Sequence, residues 1–434
     1  MSLRYLKTAK PLNATTSSDV SDTVQVILTR LKTGGEEVAL EYASQLDGWD
    51  GEVTLQTDQI EQAIARVPQA LKDDIAWAHE NISRFAAAQR ATAQDMAIEL
   101  RPGLYAGQKQ IPVQAAGCYV PGGRYTHIAS ALMTIATARE AGVPDITACS
   151  PPSDGGIPDA MLYAMHLAGA HRILCIGGVQ GLAAMAFGMF GAPCADILVG
   201  PGNAYVAEAK RQLFGPLGID MFAGPTDSLI LADHTADAET VAVDLVSQAE
   251  HGATSPVWLA TTDEKLARQV IARVPELIAA LPEPNQIAAR TAWSDMAEVV
   301  IAETREQVAT FADDKAPEHL QIMAEDLNWW QDRLHAYGSL FLGENTTVSF
   351  GDKASGTNHV LPTSGAARYT GGLSVHKFLK TVTWQRTDTG ALSDLARVTA
   401  SISRAEGMEG HALAADIRLN KMTHKVSPKV NVVM

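Results

Sequence analysis

The chain has 434 residues, 46% of them hydrophobic, and a formal net charge of −15. That length exceeds one simple core, so two or more domains are expected, and the acidic balance argues against a nucleic-acid partner, which needs a basic face for counterion release. No apolar run reaches the roughly 18–20 residues that span a bilayer, so no membrane partner is expected either.

The start, MSLRYLKTAKPLNATTSSD, lacks the apolar core of a secretory signal. Cys118, Cys149, Cys175 and Cys194 lie in or beside apolar runs without C-x-x-C spacing, the pattern of buried free thiols. These features predict a reduced, cytoplasmic protein.

In chain order, residues 1–100 read as a helical segment. Apolar positions Val24, Ile27, Leu28 and Leu31 make a helical stripe, a Gly34-Gly35 break follows, and a second helical stretch runs from Asp58 to about Arg90. From about Arg101, short β runs alternate with helices. Two such series, over 101–224 and 225–375, predict parallel, doubly wound sheets with helices on both faces. The last segment, 376–434, reads as helical again.

Candidate chemistry lies in four stretches. Gln248 and His251, three apart near a predicted helix end, are half of a metal site or a solvated capping pair. Asp352 and His359 lie in the polar loop Asp352–Pro362, where they could add oxygen and nitrogen ligands suited to zinc or manganese. Otherwise Asp352 stabilises the loop and His359 donates to a backbone carbonyl. Glu318-His319, read as the start of a helix, offers a water activator and a proton acceptor, or a capping Glu. Glu406 and His411 fall in Glu-Gly-Met-Glu-Gly-His, which reads equally as a surface turn. The glycine turns Gly122-Gly123, Gly177-Gly178 and Gly200-Pro201-Gly202-Asn203 have the geometry for phosphate at a helix N-terminus, though none reads G-x-G-x-x-G.

The sequence resembles the histidinol dehydrogenases. The matching stretches are Tyr119–Gly123, Val199–Asn203 with Glu208–Arg211, Ser247–Gly252, Ala316–Leu320 and Gly356–Thr363, in family order over nearly the whole chain. The resemblance implies a zinc-dependent, NAD-linked enzyme that oxidises a primary alcohol through an aldehyde to a carboxylate. It implies Gln248, His251, Asp352 and His411 as zinc ligands and Glu318 and His319 as the acid/base pair. Tyr119, Gln180 and Asn203 are implied as NAD contacts, and Thr226, His359 and Glu406 as substrate contacts. The zinc ligands and His319 are expected to line the substrate as well. The implied fold is two incomplete Rossmann-like domains with swapped terminal segments, in a homodimer whose Glu406 and His411 reach the partner's site.

Three stretches depart from the biosynthetic pattern. Gly224-Pro225-Thr226-Asp227 replaces Gly-Pro-Ser-Glu, and Arg124 with His127, like His376 with Lys377, adds cationic groups. Histidinol is itself cationic, so extra cations favour an anionic substrate instead. The sequence is most similar to a catabolic branch, the sulfopropanediol 3-dehydrogenases, which oxidise (R)-2,3-dihydroxypropane-1-sulfonate to (R)-sulfolactate. Arg124 or His376 is then expected to hold the sulfonate of this small anionic substrate, since a guanidinium pairs well with such oxyanions. Arg124 against the NAD pyrophosphate or on the surface is the other reading, and L-histidinol the other substrate.

Overall fold

The computed structural model describes residues 3–10, 17–123, 125–153, 155–221 and 224–426. These form two compact units. One comprises the described residues of Met1–Arg90 and Pro112–Phe378, the other those of Ala91–Ile111 and Leu379–Met434.

Along the chain, β1 (Arg4–Lys7) precedes α1 (Ser17–Asp47), α2 (Thr57–Arg66) and α3 (Gln69–Thr92), and β2 (Met96–Arg101) and β3 (Leu104–Pro112) follow. The next series is β4 (Ala115–Tyr119), α4 (Ile128–Ala141), β5 (Asp145–Ser150), α5 (Asp159–Ala168), β6 (Arg172–Cys175), α6 (Gly178–Phe187), β7 (Ile197–Val199), α7 (Ala204–Leu213) and β8 (Gly218–Ile219). A second series runs β9 (Ser228–Ala232), α8 (Ala238–Ala249), β10 (Val257–Thr261), α9 (Glu264–Ala279), α10 (Glu283–Asp295), β11 (Glu298–Ile301), α11 (Arg305–Lys315), β12 (His319–Met323), α12 (Leu327–Arg333), β13 (Ser339–Leu342) and α13 (Val348–Gly351). The chain closes with β14 (Leu379–Thr387), α14 (Thr389–Ala405) and α15 (Glu409–Val426).

In the first unit, two parallel sheets repeat one winding. The first has the order β6-β5-β4-β7-β8 and the second β11-β10-β9-β12-β13, with β1 added antiparallel on β11. In each, the first strand of the series sits in the middle and the chain winds outward to both sides. The strands are buried on both faces, as sheets covered by helices must be. Leu31, Leu182 and Val206 pack on one face of the first sheet, and Ile82, Leu132 and Met161 belong to the core on the other. The second sheet is likewise enclosed, by Leu245, Val270 and Ala289 on one side and Val308, Phe311 and Trp330 on the other. The two α/β series expected from the pattern are thus one topology used twice.

The break in α1 falls at Gly35 (φ 60, ψ −142), as the double glycine predicts. The helical terminal segments need correction. Strand β1 lies within the first hundred residues, as does β2, and β14 lies in the last segment. In the second unit β14, β3 and β2 make a three-stranded sheet, with α14 and α15 packed together through Ala396, Ala400, Ala412 and Ala415. Cys194 also departs from expectation: it is exposed, while the other three cysteines are buried and all four are free. Among the described residues, no helix is long and apolar enough to cross a membrane.

Candidate active site

The chemistry gathers at the amino edge of the second sheet. Glu318 lies just before β12 and His319 is its first residue, paired in register with Ser228 of β9 and Ser339 of β13. The pair therefore opens a strand, not a helix. Ala316 turns into the left-handed region (φ 48) to end α11, Pro317 has no N–H to start another helical turn, and the buried run His-Leu-Gln-Ile-Met goes into the sheet. Asp227 fixes Glu318 from the neighbouring strand. Its Oδ1 accepts the Glu318 N–H (2.7 Å), its own N–H donates to Glu318 Oε2 (3.3 Å), and its Oδ2 accepts the Ser364 N–H (2.9 Å). Asp227 is buried at 4% exposure, while Thr226 beside it is half-buried.

Two further elements bring donors to this edge. Helix α8 presents Gln248, 2% exposed, and Asp352, 5% exposed, caps the end of α13. Gln248 Nε2 lies 3.5 Å from Asp352 Oδ2, and His251, in the turn after α8, places Nε2 3.7 Å from the same oxygen. The other Asp352 oxygen is 3.3 Å from His319 Nε2, but off the line of a good hydrogen bond. Gln248 is therefore no solvated capping residue. Its Oε1 is buried without a partner, as are both ring nitrogens of His319.

The loop after Asp352 ties the site to α4. Asn358 Nδ2 donates to the Met133 carbonyl (2.9 Å) and to Thr137 Oγ1 (3.2 Å). His359 Nδ1 donates to the Asp352 carbonyl (2.8 Å), so its Nε2 is left to accept from Ser130 Oγ (2.9 Å). The backbone-donating alternative for His359 holds, and both of its ring nitrogens are engaged.

Burial and close charges set the protonation of this cluster. Burial raises the Glu318 carboxyl to a pKa of about 8; His319 opposes the shift, and Asp227 and Asp352 add to it. For His319 burial alone would disfavour the cation, but Glu318, Asp352 and Asp227 outweigh it and raise the imidazole to about 9. Burial also works against the Asp352 carboxylate, yet His319, His359 and His251 hold it below the ordinary carboxylate range. Desolvation lowers His251 and His359, which keeps them in the neutral form that ligates metals.

These residues fit a metal. An amide oxygen with no partner, a neutral imidazole and a carboxylate converge as the N,O donor set of a zinc or manganese site with open positions. Among the described residues no group of three His, Cys, Asp or Glu side chains is placed to hold a metal ion; the donors gathered here are two such side chains, His251 and Asp352, with the Gln248 amide. The cluster is built wholly from the first unit. Glu406, the C-cap of α14, and His411, in the first turn of α15, are exposed members of the second.

The residues expected to contact NAD share the carboxyl edge of the first sheet. Tyr119 ends β4, Gln180 is in the first turn of α6, and Asn203 caps α7 by accepting the Tyr205 and Val206 N–H groups. Tyr119 Oη accepts the Gly178 N–H (3.2 Å), and Gln180 donates to Asp47 (2.9 Å). Gly200, between Tyr119 and Asn203, has φ 115, and a Cβ there would collide with the Tyr119 carbonyl oxygen. Only glycine lets β4 and β7 approach so closely where the strand order reverses.

Arg124 lies outside the described residues, and His376 is exposed in a 3-10 turn, Val375–Phe378. Two groups that the sequence reading did not weigh singly bear on the donor set. His127, the N-cap residue of α4, and exposed Lys353 both lie within electrostatic range of His251 and His359. Ser130 was also missed, and Asp227 was read only as part of a departure from the biosynthetic pattern, since only the folded chain puts them against His359 and Glu318. A cavity of about 320 Å³ opens instead at the opposite, carboxyl edge of the second sheet, lined by Asp233, Thr262, Glu303, Arg305, Glu325 and Trp330. It holds none of the residues above.

Comparison with known proteins gives one family. The histidinol dehydrogenase family model matches residues 11–419. A protein of Ruegeria pomeroyi described as a histidinol dehydrogenase homolog is 66% identical, over 97% of this chain and 98% of its own. A second Ruegeria pomeroyi protein, a sulfopropanediol 3-dehydrogenase, is 60% identical over 97% of both. The crystal structure of histidinol dehydrogenase from Elizabethkingia anophelis superimposes with a TM-score of 0.90 at 34% identity, covering 96% of this chain and 95% of that one.

Proposed function

The chain belongs to the histidinol dehydrogenase family, and on that premise we propose that it is a zinc-dependent, NAD-linked dehydrogenase of a small anionic organosulfonate. The reaction takes (R)-2,3-dihydroxypropane-1-sulfonate through its aldehyde to (R)-sulfolactate. The observation that carries the chemistry is the buried Glu318–His319 pair beside the converging donors Gln248, His251 and Asp352.

Gln248, His251 and Asp352 would hold zinc, and Tyr119, Gln180 and Asn203 line the edge assigned to NAD. When bound, zinc supplies a Lewis acid that polarises the substrate oxygen and NAD+ supplies the hydride acceptor. His319 in its neutral form takes the alcohol proton as hydride leaves the carbinol carbon, giving the aldehyde. Glu318 then accepts a proton from water as that water adds to the aldehyde carbon. Loss of a second hydride from the resulting hydrate, for which a second NAD+ would be the acceptor, leaves the carboxylate. A carboxyl with a pKa of about 8 is poised to exchange protons near neutral pH, which suits this task.

Two observations favour the sulfonate over histidinol. The relative that carries the sulfopropanediol name is 60% identical and one described only as a histidinol dehydrogenase homolog is 66%, while those named histidinol dehydrogenase outright stand at 34–37%. Lys353 brings positive charge beside the donor set, which would attract an anionic end and repel a cationic one. The homodimer with shared sites, in which the partner supplies His411 and Glu406, belongs to the same proposal. The test is NADH formation by zinc-loaded protein with dihydroxypropanesulfonate or L-histidinol at matched concentrations. Two NADH per sulfonate, with little from histidinol, is the expected result; the reverse preference would overturn the substrate reading.

A further inference from the structure

Three polar links join α8 to the short helix α13. Thr347 Oγ1 donates to Asp244 Oδ1 (3.0 Å), Ser349 Oγ to Ser247 Oγ (3.5 Å), and Gln248 Nε2 to Asp352 Oδ2 (3.5 Å). Asp244 also reaches the sheet, where Gln321 Nε2 donates to its Oδ2 at 2.7 Å. Each partner is one structural step from a site residue. Asp244 lies one helical turn before Gln248, on the same face of α8. Gln321 lies two residues after His319, on the same face of β12. Thr347 is the N-cap of the helix whose C-cap is Asp352.

We infer that Asp244 is a positioning residue, a brace that sets the spacing of Gln248, His319 and Asp352 without touching the reacting atoms. A single carboxylate accepts from two elements while belonging to a third, and those three elements carry the three site residues. Stability alone gives little reason for it. Asp244 is 8% exposed and, among the described residues, no salt bridge to it forms. A buried carboxylate without a cation is costly, and an apolar side chain of similar size would serve packing better. Gln321, fully buried with Oε1 unpartnered, is a second such cost on the same face. Costly polar groups of this kind are what hold the ligands of a metal site in place.

The inference rests on the metal reading above, so the test separates the two. Zinc affinity is measured by competition with a chromophoric chelator, and ligand geometry by the d–d spectrum of the cobalt form, for wild type, D244A, D244N and T347V. The metal-free denaturation midpoint is taken for each. D244A should weaken zinc on the order of 10–100-fold, as loss of a ligand's supporting partner does, and shift the cobalt spectrum. T347V, which deletes one hydroxyl, should do so to a smaller degree. D244N should stay close to wild type, because its amide oxygen still accepts from Gln321 and its NH2 can donate to Thr347 Oγ1. Metal-free midpoints should not follow that order. Wild-type zinc affinity and spectra in both D244A and T347V would overturn the brace alone, as would zinc losses that merely track metal-free stability. Wild-type protein that takes up no zinc would overturn the metal reading, and the brace with it.

Discussion

Lys210 and Asp220 form a buried ion pair, 3% and 0% exposed in their side chains, beneath the glycine turn at Gly200. Lys210 Nζ also donates to the Gly200 carbonyl (3.0 Å), while Asp220 Oδ2 accepts the Gly200 N–H (2.8 Å) and its Oδ1 the Met221 N–H (2.7 Å). Gly200 is thus held through both its carbonyl and its N–H. Replacing Lys210 with methionine removes the cation and leaves the carboxylate buried, a change that typically costs about 3–5 kcal/mol. Two backbone N–H groups still reach Asp220, so the lower end is expected, about 3 kcal/mol. In thermal unfolding of a chain this long that corresponds to a fall on the order of 3–4 °C. The double variant K210M/D220N removes the stranded charge and should recover most of the loss. Asn203 follows this turn, so K210M should raise the KM for NAD+ more than it lowers kcat. Unfolding of K210M at the wild-type temperature would refute the argument, because Asp220 would then be satisfied by its N–H donors alone.

Other outcomes follow from the site. The Glu318 carboxyl has its folded pKa raised from 4.5 to about 8, so its contribution to stability is present at low pH and lost as pH rises through 8. E318Q cannot ionise; its denaturation midpoint should gain on wild type from pH 5 to pH 9 while turnover falls at least about 100-fold, and a difference flat across that range would count against the shift. Burial lowers His127 to about 4, so its contribution is lost as pH falls below about 6.5. H127Q should remove up to about 3 kcal/mol of acid sensitivity between pH 6.5 and 4, read from urea midpoints, and a wild-type profile in the variant would exclude His127 as its source. Asn358→Ala strips two donors from α4 acceptors and should cost about 2 kcal/mol while lowering kcat through a looser His359 and Asp352; an unchanged urea midpoint would show that the loop is held elsewhere.

Much of this site is legible along the chain because its groups lie in compact motifs. Gln248 and His251 are three apart, Glu318 and His319 adjacent, and Asp352 and His359 on one loop, so local reading could name them. The α/β alternation likewise shows as apolar runs between glycine turns. Asp244 and Asp227 are harder to find. Asp244 meets Gln321 77 positions away, and Asp227 meets Glu318 91 positions away. Nothing near Asp244 in sequence marks the need for a carboxylate, and the Gly-Pro-Thr-Asp stretch shows an acid at 227 without showing its partner. The helix assigned to Glu318-His319 failed for a local reason, since the proline that can open a helix here separates a finished one from a strand. The strand β14 was readable in the alternation of Thr381, Val382, Thr383 and Trp384. So was β2, where Met96, Ile98 and Leu100 alternate with Ala97, Glu99 and Arg101, although all six residues are exposed.

Ligands of wound α/β sheets usually sit beyond the carboxyl ends of the strands. The second sheet here keeps the buried Glu318–His319 pair at the amino end, with the 320 Å³ hollow some five residues away along β12, roughly 15 Å. Tolerance to change should therefore be polarised along the strands. Substitutions, labels or an inserted regulatory module would be borne at the turns around Asp233 and Glu303, and the same alterations near Asp227 or Pro317 would silence the protein. A library that varies each rim separately would turn that polarity into a map, and the hollow is the natural place to graft a new ligand's control onto an unchanged reaction.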